Sequence, residues 1–464
     1  MKKTWLIVAL LALGVMAVNS FADVQNIRLS GDIRIRGYYL NGAAGGEEQA
    51  PQPTGFAAGS TVQKDAAFIS QRTRVTVEAD LEDHVLVVVT LSGESTWGSS
   101  DQPNNDAGAG TVLGDTLNRR FDIGISEAYV QLNQAFFSPA TLKIGRQYLH
   151  YGNGLIISSV DQEINYDAAR LVLDYYPLTI DLVGAQVVNN QTFGNTSDHL
   201  GSATLLFANA RYEFSDSAIK SIEAYFGWLA RSDSYIVPPT TRAYATLGQA
   251  SPMIAGLRAN VNLTDKISTW AEAAYEFGDN GFIDSGTLRA WMANAGVKIG
   301  LKDTQWTPTF NATYTVASGS DMSDPTANFV PWFDHVDGYN GYLFCPALNN
   351  IHIFNVGASV KPYENTTLAV QAYYYMKFDR DGFAGSNPNY DFGGASFTTW
   401  GTAGGDPTSG NLGWEIDTSL GYDYSKDVRA QLVYGVFIPG NSYTEQSDVS
   451  RVAHEVRAEL NVKF

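Results

Sequence analysis

The sequence predicts an all-β fold: a transmembrane antiparallel β-barrel of about eighteen strands, with short periplasmic turns and long extracellular loops. Three observations predict it. Stretches of about ten residues alternate apolar with polar side chains along most of the chain. The connections between these stretches are alternately short and long. After residue 22, no run of about 18 uncharged apolar residues could cross a membrane as a helix, so a spanning chain must use strands.

The connections set the orientation of the predicted barrel. Short ones such as 264–265 and 425–426 follow even-numbered candidate strands, whereas long ones such as 318–350 and 379–410 follow odd-numbered candidates. Both ends of the chain should therefore lie in the periplasm. Counts of sixteen or twenty strands are compatible with the same pattern, because strand boundaries are the least certain part of such a prediction. The eighteen candidates begin near Ile27, Phe68, Val85, Asp122, Thr141, Ala168, Leu178, Gly201, Ile219, Met253, Lys266, Arg289, Thr307, Ile351, Thr366, Leu412, Asp427 and Val452.

The alternation is most regular in the last candidate strand, over residues 453–464. Successive side chains of a strand face opposite ways, so the apolar side chains gather on one face and should contact outer-membrane lipid and lipopolysaccharide. This strand, with its final aromatic residue, resembles the last strand of bacterial outer-membrane barrels. The resemblance implies that the barrel assembly machinery recognises Phe464. The apolar face carries Val456, Ala458, Leu460, Val462 and Phe464.

The N-terminal segment has the features of an export signal. Two lysines precede an apolar run over 5–18, and small residues before Asp23 match a cleavage site. The predicted organisation is a signal peptide over residues 1–22 and a single barrel domain over 23–464. The predicted location is the outer membrane of a Gram-negative cell. A secreted soluble β-protein behind the same signal is the alternative.

Composition agrees with a barrel. The mean hydropathy is only −0.14, yet the chain has 25 Tyr, 23 Phe and 9 Trp, which suits aromatic girdles at the membrane interfaces. No linker or low-complexity tract divides the chain. The single Cys345 cannot form an internal disulfide. We therefore expect one closed domain.

Charged residues occupy the face of the strands that should line the lumen. Alternation points Arg28, Arg34 and Arg36 inward from the first strand, Arg72 and Arg74 from the second, and Arg457 from the last. Barrel closure would place these six arginines on one patch of wall. Two interpretations are open: a stiffening ion-pair network with neighbouring acids, or a track for passing anions. The acids of that network would be Asp32, Glu78, Glu455 and Glu459.

Carboxylates balance these arginines elsewhere in the lumen. Glu272 and Glu276, and then Glu415, Asp417 and Asp423, face inward by the same alternation. Since the lumen is nearly balanced, the net charge of −18 should come mainly from the loops. An acidic mouth does not favour capture of polyanions from outside but could help to expel them. The loop acids include Glu47, Glu48, Asp65, Asp101, Asp161, Asp321, Asp324, Asp334, Asp337, Asp379, Asp381 and Asp391.

Four short motifs follow one another between residues 125 and 171. They are a strand with Glu-Ala-Tyr at 127–129, a strand with Gly-Arg-Gln at 145–147, a Tyr-Gly-Asn-Gly loop at 151–154, and Asp-Ala-Ala-Arg at 167–170. Their order resembles the alginate export family of outer-membrane barrels. The resemblance implies an eighteen-stranded barrel that passes an anionic polysaccharide outward through an arginine-rich constriction.

Arg146 poses a physical question, because strict alternation would place it on the lipid face, where an arginine costs roughly 2–4 kcal/mol near the midplane. We predict that a bulge at Gly145 turns it inward. Arg146 would then meet Lys143, Glu127 and Arg170, with the loop 149–167 folded into the lumen above them. The alternative is that Arg146 extends to the membrane interface near Tyr148.

The sequence contains no recognisable catalytic group. Its six histidines, at 84, 150, 199, 335, 352 and 454, show no paired ligand spacing, so we predict neither an enzyme nor a cofactor. We also expect no nucleic-acid partner. The predicted function is an outer-membrane channel through which anionic sugars or an acidic exopolysaccharide diffuse. The alternatives are a general or nutrient-uptake porin for small hydrophilic solutes and a non-conducting structural or adhesive barrel.

Overall fold

The computed structural model contains eighteen β-strands. It describes residues 26–41, 65–81, 84–97, 123–159, 165–188, 203–231, 251–279, 287–320, 325–329, 332, 340–344, 346, 348–381, 409–443 and 452–464, so the predicted signal peptide lies outside the described part. The strands are β1 (Asn26–Asn41), β2 (Asp65–Asp80), β3 (Val85–Thr96), β4 (Ile123–Asn133), β5 (Ala140–Gln147), β6 (Tyr166–Tyr175), β7 (Leu178–Val188), β8 (Ala203–Glu213), β9 (Ile219–Arg231), β10 (Ser251–Asn262), β11 (Ile267–Asp279), β12 (Ala290–Gly300), β13 (Thr309–Ala317), β14 (Ile351–Tyr363), β15 (Thr366–Lys377), β16 (Asn411–Asp423), β17 (Val428–Pro439) and β18 (Ala453–Lys463).

The strands form one closed antiparallel barrel. Each strand pairs with the next along the chain, and β1 pairs with both β2 and β18. The predicted fold is thus confirmed, and every predicted strand start lies within three residues of the observed one. The connections after even-numbered strands are short, down to two residues between β14 and β15, while those after odd-numbered strands are longer. Among the described residues, no helix is long and apolar enough to cross a membrane.

The two faces of the wall differ as the alternation predicts. In β11, Glu272 and Glu276 are buried inside the barrel, while Tyr275 between them is half exposed on the outside. Exposed aromatic and aliphatic side chains cover the outer face. The Tyr314 hydroxyl pairs with His352 Nδ1 at 2.8 Å on this face, so a polar aromatic pair joins two neighbouring strands. An apolar outer surface of this kind suits a lipid environment.

The seam between β1 and β18 extends to the final residue. The Gly31 N–H donates to the Phe464 carbonyl at 2.8 Å, and the Phe464 N–H donates to the Gly31 carbonyl at 3.0 Å. A Cβ atom at Gly31 would come within 2.7 Å of the Phe464 ring. Glycine at position 31 therefore makes room for the terminal aromatic side chain, and Phe464 takes part in closing the barrel.

The buried apolar core lies inside the barrel rather than on its outer surface. Two segments that follow odd-numbered strands supply much of it, with Leu149 and Ile157 after β5, and Leu343 and Leu348 after β13. Inward wall residues such as Phe437 complete the cluster. We call residues 148–159 the first inserted segment and the described residues 340–344, 346 and 348–350 the second inserted segment. Both pack against the inner wall, so they narrow the lumen.

Candidate functional site: the barrel lumen

The arginines of β1, β2 and β18 form one patch of the inner wall, as predicted. Arg34 lies directly opposite Arg72 in the β1–β2 register, and Tyr38 lies opposite Arg457 in the β1–β18 register. Arg28 is nearest the periplasmic end of β1, where its side chain is half exposed. We call Arg28, Arg34, Arg36, Arg72, Arg74 and Arg457 the basic patch.

Acids pair with most of the basic patch. Arg74 contacts Asp32 at 2.5 Å, and Arg36 contacts Glu459 at 2.5 Å. Three further pairs are longer or more exposed: Arg28–Glu78 at 3.0 Å, Arg34–Glu94 at 3.6 Å and Arg457–Glu455 at 3.8 Å. The acids of the predicted network are therefore present, and Glu94 is one that the sequence analysis missed.

Burial decides how these pairs behave. Arg34, Arg72 and Arg457 are each less than 7% exposed, so their charges have little bulk water to screen them. Removing one partner of a buried pair leaves an uncompensated charge, which is typically more costly than losing an exposed pair. The network therefore stiffens this part of the wall whether or not anions pass along it.

The first inserted segment crosses the lumen and binds the opposite wall through its backbone. The Gly152 N–H donates to Glu223 at 3.2 Å, and the Asn153 N–H donates to Glu272 at 2.9 Å. Arg258 lies 3.8 Å from both glutamates and donates to the Gly152 carbonyl at 3.0 Å. Carboxylates that accept from backbone N–H groups form strong, charge-assisted bonds. These bonds hold the segment across the channel.

Side chains of the same segment fix its conformation. The Tyr151 hydroxyl donates to Asp181 at 3.0 Å, and burial raises the pKa of Tyr151, which keeps the hydroxyl protonated as a donor. Burial, followed by the charge of Arg258, lowers the pKa of His150. A neutral His150 is thereby favoured, with Nδ1 3.2 Å from the Ser158 hydroxyl.

The tight turn explains the Tyr-Gly-Asn-Gly motif. Gly152 and Gly154 have φ angles of +61° and +78°, a region that glycine occupies readily. A Cβ atom at Gly152 would also come within 2.7 Å of the Glu272 carboxylate. Glycine at this position therefore serves both the turn and the close approach to the wall.

The Gly-Arg-Gln and Asp-Ala-Ala-Arg motifs meet in the β5–β6 register, where Arg146 lies opposite Asp167 and Gln147 opposite Tyr166. The buried Gln147 amide donates to the Ala168 carbonyl at 3.0 Å. Arg170 forms an ion pair with Asp181, the same carboxylate that binds Tyr151. The last three motifs thus build one connected structure, which consists of β5, β6 and the segment between them.

The predicted inward turn of Arg146 is wrong. The β4–β5 and β5–β6 registers run through Gly145 without a shift, although its φ is +127°, so Arg146 keeps the outward direction of the exposed Ile144. Its guanidinium binds Asp167 through two bonds, at 2.7 and 2.8 Å, and the Ile125 carbonyl at 3.2 Å. A bidentate ion pair, rather than a bulge, compensates the arginine on the outer face. The register shift instead falls in the β3–β4 pairing, beside Ser126.

The other residues of the predicted constriction do face the lumen, but each has a separate partner. Glu127 accepts from the Thr90 hydroxyl at 3.0 Å. The Lys143 ammonium lies 4.1 Å from the centre of the Tyr129 ring. Arg170 lies opposite Lys143 in register but binds Asp181. The structure therefore does not bring these three residues together with Arg146 at one narrow point.

The outward position of Arg146 leads to a first prediction. Arg146→Ala is expected to leave single-channel conductance and ion selectivity unchanged, because this side chain does not reach the lumen. Lys143→Ala is the matched comparison, since it removes one positive charge from the inner face of the same strand, and it should change selectivity. Planar-bilayer recording of both variants checks this. Altered conductance in Arg146→Ala would contradict the outward assignment.

The second inserted segment is held by one buried carboxylate. Glu415 on β16 accepts hydrogen bonds from the backbone N–H groups of Tyr342, Leu343 and Phe344 at 2.7 to 2.9 Å. The Phe344 ring stacks on Phe437 at 4.6 Å. The segment therefore docks onto β16 and β17, and on β15 the Tyr375 hydroxyl donates to its Asn340 carbonyl at 2.7 Å.

Several functional residues were missed from the sequence. Glu223, Arg258 and Asp181 face inward by the same alternation that identified Glu272, but nothing in the sequence assigns them to the inserted segment. Most predicted loop acids, and Cys345, lie outside the described residues; of the acidic side chains, the structure describes those of Asp379 and Asp381. No group of three or more His, Cys, Asp or Glu side chains among the described residues is arranged to hold a metal ion.

Solved structures with the same fold include outer-membrane porins of Pseudomonas aeruginosa. OpdK, solved with vanillate, has a TM-score of 0.56 and 14% sequence identity, covering 94% of this chain and 98% of its own. The outer membrane protein OprD has a TM-score of 0.54 and 12% identity over 96% of each chain. OccK2, solved with glucuronate, has a TM-score of 0.54 and 12% identity over 96% and 99%. At this identity the likeness shows the fold, an outer-membrane porin barrel.

The sequence identifies the family. Residues 54–457 match the family described as alginate export, which is most of the chain. The chain belongs to the alginate export family. No curated protein sequence matches it significantly. Family and fold are those of outer-membrane channels rather than enzymes, and they place the protein in the outer membrane.

Proposed function

We propose that the barrel is a diffusion channel for anionic sugars, with an acidic exopolysaccharide as the extended form of the same cargo. The observation that carries the proposal is the basic patch. The patch extends along β1 from Arg28 to Tyr38, which lies opposite Arg457. The distance between these two positions is roughly 30 Å at about 3.3 Å per residue. Strands of such barrels are tilted by about 40°, so this length covers roughly 25 Å along the membrane normal, which is the height of the apolar band. An anion would therefore meet positive charge through most of the crossing.

The site residues we assign to the pathway follow from this proposal. Arg28, Arg36 and Arg74 would contact the solute first, because the described network leaves them more exposed than Arg34 or Arg72. Glu127, Lys143 and Arg170 line the part of the lumen next to the first inserted segment. Arg146 is excluded from the pathway by its outward direction.

Comparisons with known proteins support an anionic cargo. The family is described by alginate export, and two structures of the same fold were solved with vanillate and with glucuronate, both carboxylates. The further expectations are a Gram-negative host, cleavage of the signal peptide after residue 22, contacts with lipopolysaccharide, and assembly through Phe464. These expectations belong to the proposal.

A general or nutrient-uptake porin is the second candidate. It is favoured by the acids that pair with the basic patch, because they reduce the net field that a passing ion would meet. A non-conducting barrel is favoured by the two inserted segments that narrow the lumen. A conductance measurement separates the non-conducting barrel from the two channels. Ion selectivity then separates the anionic-sugar channel from the general porin.

The test neutralises two arginines of the basic patch that are more exposed than Arg34 and Arg72. The double variant Arg36→Gln and Arg74→Gln is expected to shift the reversal potential toward cations. The shift should shrink in 1 M salt, where the Debye length falls to about 3 Å. Arg146→Gln is the matched control, since it removes an equivalent charge from the outer face. If the double variant migrates as a folded barrel and keeps the wild-type ion preference, the basic patch stabilises the barrel wall and does not select ions.

A further inference from the structure

One part of the lumen wall carries hydrogen-bonding groups but almost no charge. The inward side chains of β13, β14 and β15 include Asn311, Thr313, Asn355, Gln371 and Tyr373, which we call the neutral wall. They line a cavity of about 480 Å³. This volume lies within the range of small-molecule sites, roughly 300–1,000 Å³. Of the described residues that line the cavity, only Lys298 and Asp417 are charged.

The strand register arranges these groups in a row across five strands. Lys298 lies opposite Asn311, which lies opposite Gly357, then Gln371, then Asp417. The row therefore has a lysine at one end, a buried aspartate at the other and two amides between them. Lys298 is exposed, and no described residue forms an ion pair with it.

The amides of the neutral wall are held in fixed positions. Asn311 Nδ2 donates to Asn355 Oδ1 at 2.9 Å and to Gln371 Oε1 at 3.1 Å, and Gln371 Nε2 donates back to Asn311 Oδ1 at 3.2 Å. Gly357 lets the Gln371 side chain lie flat, because a Cβ atom there would overlap its amide. Gly296 makes the same room for Trp270. Such an array presents donors and acceptors without having to reorganise.

The cavity adjoins the basic patch. Tyr342 of the second inserted segment lines it, and the guanidinium of Arg457 lies 4.4 Å from the centre of the same ring. The indole of Trp270 lines another side, where its N–H donates to Asn294 at 2.9 Å. A solute in the cavity would thus contact aromatic faces and amides while one end approaches an arginine.

We propose that the neutral wall is a carbohydrate subsite that binds the hydroxyl groups of the solute. A hydroxyl group both donates and accepts, as do paired amides, so a polyhydroxylated solute can bond to the wall at several points. An aromatic carboxylate without a polyol leaves these amides unused. Sites built to bind hydroxyl groups discriminate strongly against analogues that lack them. The favoured cargo is therefore a sugar acid or its oligomer. This inference rests on the proposed function in one respect only, which is the negative charge of the solute.

The experiment replaces two amides with apolar side chains of similar size, Asn311→Leu and Gln371→Met, in one double variant. Changing both avoids leaving Asn311 or Gln371 without the other, and the Asn355 amide keeps its bond to the Ala372 carbonyl at 3.4 Å. The probes are glucuronate, glucose and benzoate, and the readout is their binding from current noise in planar bilayers. Asn260→Leu is the control variant, because Asn260 is a part-buried amide on β10 that binds Ser221 at 2.9 Å, away from the cavity.

We expect the double variant to bind glucuronate and glucose about tenfold more weakly, with benzoate binding and reversal potential unchanged. A tenfold change corresponds to about 1.4 kcal/mol. Unchanged glucuronate and glucose binding, or an equal loss for benzoate, would overturn the subsite. Should the double variant not reach the membrane folded, Thr313→Val removes one hydroxyl from the same cavity and is expected to weaken both sugars.

Glucose separates the two proposals. It carries no charge, so its loss in the double variant reports on the neutral wall even if the channel has no preference for anions. A wild-type channel without anion preference would reject the proposed function and leave the subsite standing. If the wild-type channel is anion-selective but the double variant binds glucose and glucuronate as tightly as the wild type, the subsite is rejected and the proposed function stands.

Discussion

Replacing Glu272 with alanine is expected to detach the first inserted segment and to raise single-channel conductance. Glu272 is 3% exposed and accepts hydrogen bonds from the Asn153 N–H at 2.9 Å and the Tyr225 hydroxyl at 3.0 Å. Its loss leaves two buried donors without an acceptor, at roughly 1–3 kcal/mol each. Arg258 also loses one of its two carboxylates. Only the Asn153 bond joins the segment to the wall, and 1.4 kcal/mol is a factor of ten, so its loss shifts the docked segment toward the detached state by about one order of magnitude.

Two further variants sharpen this prediction. Gly152→Ala changes the segment instead of the wall and should raise single-channel conductance in the same way. Its Cβ atom would collide with the Glu272 carboxylate, and the φ of +61° disfavours alanine. Asp423→Ala is the control: it also removes an inward carboxylate, but one that pairs with Arg429, outside the proposed pathway. Bilayer recordings that show unchanged conductance in both Glu272→Ala and Gly152→Ala would mean that the segment does not limit flow.

Replacing Leu460 and Val462 with aspartate is expected to prevent assembly in the membrane. Leu460 is exposed on the outer face and lies opposite Ile35 on one side and Ala430 on the other, so two charges would enter the lipid face of the closing strand. A basic residue at the bilayer midplane of a barrel costs roughly 2–4 kcal/mol, and an acid less. Both neighbours of β18 would lose pairing, because this strand closes the barrel.

The control for assembly lies on the same strand. Asn461 faces the lumen opposite Arg34, so Asn461→Asp adds the same charge next to an arginine and should assemble normally. Deletion of Phe464 removes two backbone hydrogen bonds to Gly31 and should weaken assembly. Heat-modifiable migration in outer-membrane fractions measures each variant. Normal migration of the Leu460→Asp and Val462→Asp double variant would contradict the lipid-facing assignment of β18.

Arg146 shows why one prediction from the sequence was wrong. The alternation itself was right: the residue faces outward, as strict period two requires. The error was to assume that an outward arginine needs a bulge to rescue it. Its actual partner, Asp167, is 21 residues away in the chain and becomes adjacent only through the β5–β6 register. Sequence spacing does not reveal that register when an eighteen-residue loop separates the strands.

The inserted segments show a second limit. Alternation correctly placed Glu272 and Glu415 inside the barrel. It could not say that the two carboxylates bind backbone N–H groups of segments that follow β5 and β13. Those partners lie 119 and 72 residues away. Only barrel closure brings them together, because closure places distant strands around one lumen.

A local period of two and the loop lengths are enough to predict a barrel of about eighteen strands and the inward direction of the basic patch, whereas the exact strand number needed the structure. The tertiary structure decided which acid pairs with which arginine, where the loops enter the lumen, and that uncharged residues from three strands share one cavity. The physical reason is the same in each case. A strand's own residues set its two faces, whereas partners across the lumen and across long loops depend on register and closure, which no local pattern encodes.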